Sequence, residues 1–170
     1  MSASYADDSP ATASTGLLIA VAASIVAVIL LILAVVYNSG KSGRIASLYT
    51  AAAASANPAL TAEVNAYNRD QRANLAAAKA DLAKLVKTAT AFDAAIIAVA
   101  FPGEASHAAA RLVNADLARI KLFRQQEKAT TLRQLRTFNS RDQSANALVE
   151  AQAQQVRTAL GLPPTSGQLF

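Results

Sequence analysis

An uninterrupted apolar run from Leu17 to Tyr37, without one charged side chain, limits what this chain can become more than any other feature. A helix rises ~1.5 Å per residue, so about 20 residues cross the ~30 Å hydrocarbon core of a bilayer. A buried helix of a soluble protein normally keeps a polar face, and this segment has none. The run therefore predicts a transmembrane helix over residues 16–38.

The N-terminal segment does not match a cleavable secretory signal, which has a basic start and a shorter apolar stretch. Residues 1–15 contain Asp7 and Asp8 but no Lys or Arg. A type IV pilin helix normally carries a Glu shortly after its processed start, and the corresponding region here is apolar. We therefore expect an uncleaved, single-pass anchor in the plasma membrane.

The rest of the chain divides by composition. We expect a flexible tail over residues 1–15, a Gly/Ser hinge over 39–43, one domain over 44–162 and a flexible C-terminal tail over 163–170. Alanine, the residue with the highest helix propensity, occurs 42 times, and β-branched residues are sparse after the apolar run. The sequence predicts an all-α fold, in which the transmembrane helix is followed by an up-down antiparallel helical bundle.

Apolar spacing, proline and glycine predict the helix boundaries of the domain. A short helix over 44–55 is expected to end at Asn57-Pro58, and a long second helix follows over 58–100, with a heptad seam from Leu75 to Val99. A break at 101–103 precedes a third helix over 104–128. After a restart near Thr131, the last helix ends at Gly161. The pattern indicates three main helices and a short first helix that bridges to the membrane.

The residue types that build catalytic and metal sites are scarce in this chain. It has no Cys, one histidine (His107), and no glycine-rich phosphate loop or nucleophile elbow. A single His without Cys does not form a conventional zinc, copper or haem site. We therefore predict that the protein is not an enzyme and has no catalytic, cofactor-binding or metal-binding residues.

The helical period places one acid, Asp116, among the apolar residues of the third helix. A buried acid must be paired, hydrogen-bonded or neutralised. Folding the second and third helices about their connection brings Asp116 near Lys87 and Thr88, and Asp93 near Arg111. We predict that Asp116 is a structural buried acid and contacts one of these groups or an arginine of the last helix.

Basic residues concentrate between Arg119 and Arg141, offset only by Glu127. The candidates for binding an anionic partner are Arg119, Lys121, Arg124, Lys128, Arg133 and Arg136. Such a surface binds anionic lipid headgroups, a phosphate-bearing polymer or an acidic protein, or it is a solvated face that aids solubility. The aromatic residue within the run, Phe123, belongs to the apolar face, so we expect no nucleic-acid partner.

Short motifs between residues 92 and 164 carry a family resemblance. They are Phe101-Pro102, Leu112-Val113 with Ala115-Asp116, Thr131-Leu132 with Leu135-Arg136, and Leu160 to Pro164. This region resembles an Ala-rich helical domain of uncharacterised envelope lipoproteins and membrane-anchored proteins of actinobacteria. The resemblance implies an extracytoplasmic domain, attached here by the N-terminal span because the acylated Cys is absent. Lys41 and Arg44 favour the opposite orientation through the positive-inside rule. We expect the extracytoplasmic orientation.

These features together predict a non-catalytic, membrane-anchored helical interaction or accessory subunit of a membrane or cell-envelope assembly. The alternative is an envelope domain that binds an anionic lipid or polymer through its basic helix face. The expected partners are membrane lipid and either a protein partner or further copies of the chain. Long amphipathic helices of this kind often complete their burial against such a partner.

Overall fold

The computed structural model describes residues 41–164, and the regular secondary structure of this part of the chain is entirely helical. Five helices follow one another along the chain. They are α1 (Lys41–Asp70), α2 (Leu75–Ile97), α3 (Gly103–Gln126), α4 (Leu132–Arg136) and α5 (Asn139–Ala159). The prediction of an all-α domain is confirmed.

The predicted transmembrane helix over residues 16–38 lies outside the described residues, as do the tail over 1–15 and residues 165–170. None of the helices within 41–164 has both the length and the apolarity to cross a membrane. Helix α1 already begins at Lys41. The last three residues of the expected hinge over 39–43 are therefore helical.

Helix α1 does not end at Asn57-Pro58 as predicted but continues through Pro58 to Asp70. Proline removes one backbone hydrogen bond and normally kinks or ends a helix, at a cost of about 3 kcal/mol. The side chains buried before and after the proline keep one helical period, and they are Tyr49, Ala52, Ala56, Leu60 and Tyr67. Burial of this continuous face against the other helices outweighs the local effect of the proline.

The chain turns between α1 and α2, inside the segment predicted as one helix over 58–100. The Asn74 side chain accepts a hydrogen bond from the Ala77 backbone N–H at 3.0 Å and so caps α2. The predicted seam begins after this turn, with Ala78, Leu82, Leu85, Ala89, Phe92 and Ile96 all buried. The polar residues Asn68 and Gln71 interrupt the seam in the sequence, and the chain leaves the helix at this point.

Helix α3 begins at Gly103, directly after the predicted break. Gly103 has φ +47°, a left-handed conformation that glycine adopts without a steric penalty. Phe101 packs edge-on against Tyr49 of α1, with 6.5 Å between the ring centroids. This contact places the α2–α3 connection beside the first half of α1.

Helices α4 and α5 follow near the predicted restart. The Thr131 hydroxyl accepts a hydrogen bond from the Gln134 backbone N–H at 3.2 Å and caps the short helix α4. At the end of α5, Gly161 has φ +67°, and Arg157 Nε donates to the Pro163 backbone oxygen at 2.8 Å. Glycine therefore ends α5 as the sequence predicted.

The four long helices form an up-down-up-down bundle, with one more full-length helix than the three predicted. Helix α1 packs on α2, α2 on α3, and α3 on α5. At one end of the bundle, the Tyr49 hydroxyl donates to the Ala153 backbone oxygen near the end of α5 at 3.3 Å. At the opposite end, Tyr67 of α1 is bonded to Gln126 of α3. Helices α1 and α3 therefore run in one direction, and α2 and α5 in the other.

Candidate functional site

Asp116 is fully buried and forms an ion pair within its own helix. Its exposed fraction is 0%, and that of Arg119, one turn later on α3, is 1%. Arg119 Nε donates to Asp116 Oδ1 at 2.7 Å, and Nη2 lies 2.6 Å from the same oxygen. Arg119 Nη1 donates to Asn146 Oδ1 of α5 at 3.4 Å. The charge that balances this acid therefore comes from α3 itself and not from the last helix.

A second acid, Asp93 of α2, lies against this pair and is 3% exposed. Ionised carboxylates only accept hydrogen bonds, and neither side-chain oxygen of Asp93 has a hydrogen-bond partner within residues 41–164. Burial, and then the Asp116 charge, raises the pKa of Asp93 to about 8. Burial also raises the pKa of Asp116, but the Arg119 guanidinium opposes that shift. Burial and the neighbouring carboxylate therefore favour the protonated form of Asp93, while Arg119 balances the charge of Asp116.

The contacts predicted for Asp116 are wrong. The Thr88 hydroxyl, expected beside Asp116, donates to Glu63 Oε1 of α1 at 2.9 Å. Lys87, the other expected partner, is exposed. Both residues border the α1–α2 side of the bundle, whereas Asp116 lies against α2 one turn further toward the α2–α3 connection.

The contact predicted between Asp93 and Arg111 is also wrong. Arg111 donates from Nε and Nη2 to Gln155 Oε1 of α5, at 3.2 and 3.1 Å. The prediction folded two helices symmetrically about the break between them. Because α2 ends at Ile97 and a non-helical connection follows, α3 is shifted along α2. Asp93 therefore lies beside Asp116.

A second buried polar cluster, which the sequence did not predict, joins α1, α3 and α5 at the other end of the bundle. The Tyr67 hydroxyl donates to Gln126 Oε1, and Gln126 Nε2 donates to Asp142 Oδ1, both at 2.6 Å. Burial raises the pKa of Asp142 to about 6, and the bond from Gln126 opposes the shift. The available signal was the spacing on α3, since Gln126 follows Arg119 by one heptad and so shares its buried face.

Arg119 does not belong to the exposed basic surface that was predicted, because it is buried in the ion pair with Asp116. The other five predicted residues are exposed. They lie at the end of the bundle where α1 ends and α5 begins, together with exposed arginines of the neighbouring segments. We call this set the basic pole, and it consists of Arg69, Arg72, Lys121, Arg124, Lys128, Arg133, Arg136 and Arg141.

Few acids offset the basic pole. Three lie in the same region, Asp70, Glu127 and Asp142, which gives this end a charge of +5. The rest of residues 41–164 carries eight basic and six acidic side chains, a balance of +2. Among the described residues, one ion pair involves the pole, in which Arg69 Nε lies 3.1 Å from Asp70 Oδ1. Positive charge is therefore concentrated at one end of the domain.

An uncharged groove of about 300 Å³, lined by apolar side chains together with Ser106 and Asn114, lies between the end of α2 and the start of α3. Its large side chains include Ile97, Val99, Phe101 and Val113, and none of its lining residues is charged. Ile97 is 70% exposed. Charged side chains, by contrast, line the grooves along α1–α2 and α3–α5. This uncharged groove lies toward the end of the bundle where α1 begins, opposite the basic pole.

His107 is exposed in the first turn of α3 and lines none of these grooves. Within residues 41–164, no group of three or more His, Asp or Glu side chains is arranged as ligands for a metal ion. Asp116 is paired with Arg119, and Asp93 lies beside this pair. Their arrangement places three ionisable groups in the core between α2 and α3.

No family model, curated protein or solved structure matches this chain. The resemblance to an actinobacterial envelope domain therefore stays a prediction. The function has to be argued from the geometry of the domain.

Proposed function

We propose that the protein is a non-catalytic accessory subunit, anchored in the membrane by residues 17–37, that binds an apolar helix of a membrane partner in the α2–α3 groove. The groove carries this proposal. The exposed Ile97 beside an uncharged lining favours a partner segment that has no charge and presents an apolar side chain to Ile97.

The position of the groove supports a partner in the same membrane. The chain enters the domain at Lys41, four residues after the apolar run ends at Tyr37. Phe101, which lines the groove, contacts Tyr49 in the first half of α1. The groove therefore opens toward the end of the domain that the anchor enters, where apolar segments of other membrane proteins leave the bilayer.

The face of α3 extends this apolar surface beyond the groove. Leu117 follows Ala110, a lining residue, by one heptad and is 51% exposed. A partner helix that lies along α2–α3 buries Ile97 and Leu117 together.

Site-specific photo-crosslinking in native membranes tests this proposal. A photoreactive amino acid at position 97 of the full-length chain is expected to give one adduct of defined mass with a membrane protein. The same probe at Leu148, which is 49% exposed on α5, is the matched control and is expected to give no such adduct.

Disruption of the groove gives the second half of this test. Ala110→Asp, at an exposed position of the lining, is expected to abolish the adduct from position 97 while the helix content is unchanged. Equal adducts from positions 97 and 148, or no adduct from position 97, would rule out the groove as the binding site. An adduct of twice the chain mass would show that a second copy of the chain, and not another protein, occupies the groove.

A second candidate function is the binding of an anionic ligand. The basic pole favours it, because eight exposed basic side chains at one end of the domain attract anions over several ångströms. This function uses the opposite end of the bundle from the uncharged groove, so the two functions are compatible in one chain.

A further inference from the structure

We infer that the basic pole binds a linear phosphate polymer that carries no bases, rather than the lipid headgroups of the anchoring membrane or a nucleic acid. This inference rests on the second proposed function and is independent of the α2–α3 groove. It follows from the position of the pole, its composition and the side chains that surround it.

The pole lies at the end of the domain that is distant from the entry of the chain. Tyr67, Gln126 and Asp142 join the end of α1, the end of α3 and the start of α5 just inside it. Helix α1 has 30 residues, which corresponds to a length of about 45 Å between its start at Lys41 and the pole. A membrane that holds the segment before Lys41 therefore faces the opposite end of the bundle.

The composition of the pole fits phosphate. Six of its eight residues are arginines, whose planar guanidinium groups bind phosphate oxygens in pairs. Intramolecular contacts occupy few of them within residues 41–164. Arg69 is paired with Asp70, and Arg141 lies over the Phe138 ring at 6.0 Å. The remaining exposed side chains have no ion pair with a described acid, so their charge is directed to solvent.

The distribution of these side chains fits an extended ligand. They come from the end of α1 and the α1–α2 turn, the last turns of α3, the segment that follows it, helix α4 and the start of α5. They are therefore spread over the surface and do not line one pocket. A folded protein partner normally buries a central apolar or aromatic anchor. The large exposed apolar residues of the described segment, Ile97, Leu117 and Leu148, each lie one or more helical turns along the chain from the nearest pole residue. A flexible chain of repeated anions instead gains affinity from the release of counterions.

The aromatic side chains near the pole are not available for base stacking. Tyr67 is 5% exposed and Phe123 is 3% exposed. Phe138 is half-buried and covered by Arg141. Proteins that bind single-stranded nucleic acid without sequence preference use exposed aromatic rings as platforms for the bases. The pole therefore suits phosphate groups and lacks what bases require.

The binding of inorganic polyphosphate to the full-length chain in neutral detergent tests this inference. Fluorescence anisotropy of labelled polyphosphate, measured between 50 and 200 mM salt, is expected to show saturable, salt-sensitive binding. The pole variant carries Arg133→Gln, Arg136→Gln and Arg141→Gln. Because it loses three phosphate contacts, its affinity is expected to fall by about tenfold or more and its log–log salt slope by about 2 to 3.

A matched variant controls for total charge. It carries Arg44→Gln, Lys87→Gln and Arg111→Gln, three exposed basic residues outside the pole. Its polyphosphate affinity is expected to stay within about threefold of that of the unchanged chain, since it keeps every pole contact. An equal loss in the two variants would show that only net charge matters and would overturn the inference, and so would an absence of polyphosphate binding.

Two other anionic ligands distinguish a phosphate polymer from a nucleic acid and from a lipid surface. Single-stranded DNA and anionic lipid vesicles are measured under the same conditions, with neutral vesicles as the blank. Polyphosphate is expected to bind more tightly than either. If anionic vesicles bind more tightly, the proposed anion-binding function stands and this inference fails. If single-stranded DNA binds more tightly, the ligand is a nucleic acid.

Discussion

At the scale of single residues, two buried carboxyl groups and one guanidinium lie together between α2 and α3. Burial and the neighbouring Asp116 raise the pKa of Asp93 to about 8, while Asp116 is paired with Arg119. The unfolded chain loses the Asp93 proton near the ordinary Asp pKa of about 4. Between these two values the folded state binds one more proton than the unfolded state. The free energy of unfolding therefore falls as the pH rises from about 4 to about 8.

Asp93→Asn is expected to remove this pH dependence, because the amide donates to Asp116 without titrating. The unchanged chain should lose up to about 1.4 kcal/mol of unfolding free energy per pH unit between pH 6 and 8, and the variant should lose almost none. Urea unfolding followed by circular dichroism measures both. Asp142→Asn is the control, since the pKa of Asp142 is about 6 and its removal leaves the slope above pH 6 intact. A stability that stays constant or rises over this range contradicts the account.

Arg119→Ala is expected to lower the free energy of unfolding by about 3–5 kcal/mol at pH 7, because it leaves the buried Asp116 charge without its partner. Lys121→Ala, two residues further on the exposed face of α3, should change it by less than about 0.5 kcal/mol. Denaturant midpoints compare the two variants. Similar midpoints would show that the ion pair does not stabilise the bundle.

Local spacing in the sequence predicted which residues are buried but not which residues they contact. The helical period places Asp116 among apolar residues, and this period follows from the order of residues alone. Its partner depends on how far α3 is shifted along α2, which no local pattern encodes. Arg119 was assigned to the surface because it is charged and lies in a run of basic residues. In the structure it is buried, because Asp116, one turn earlier on the same face of α3, supplies the opposite charge.

At the scale of helices, the buried face of α1 decides that the helix continues through a proline. Pro58 is exposed, so its cost lies in the missing backbone hydrogen bond rather than in packing. Pro58→Ala is expected to raise the free energy of unfolding by about 1–3 kcal/mol. Thermal unfolding by circular dichroism checks this, with Thr61→Ala at a nearby exposed position as the control. A less stable Pro58→Ala variant would show that the packing of α1 on α2 requires a kink.

The helix ends that the sequence predicted well are those that carry their own signals. Thr131 caps α4 and glycine ends α5, whereas for α2 only the regular spacing of the buried seam was predicted and not the start at Leu75. The boundary between α1 and α2 was misplaced because proline signals a helix end locally, whereas the contacts of α1 with distant helices override it. The cap at Asn74 was visible in the sequence only as one polar residue among several.

At the scale of the whole molecule, the domain has two chemically different ends. The uncharged groove lies toward the end where α1 begins, and the basic pole lies at the other end. This arrangement suits a domain that contacts an apolar partner near a membrane and an anionic polymer further from it. Both proposed contacts assume the predicted attachment of the chain by residues 17–37.

Alkaline carbonate extraction of cell membranes tests this attachment most directly. The full-length chain is expected to stay in the membrane pellet, because about 20 apolar residues in a helix span the hydrocarbon core and resist extraction. A chain that lacks residues 17–37 is expected in the supernatant. Release of the intact full-length chain into the supernatant would contradict the account.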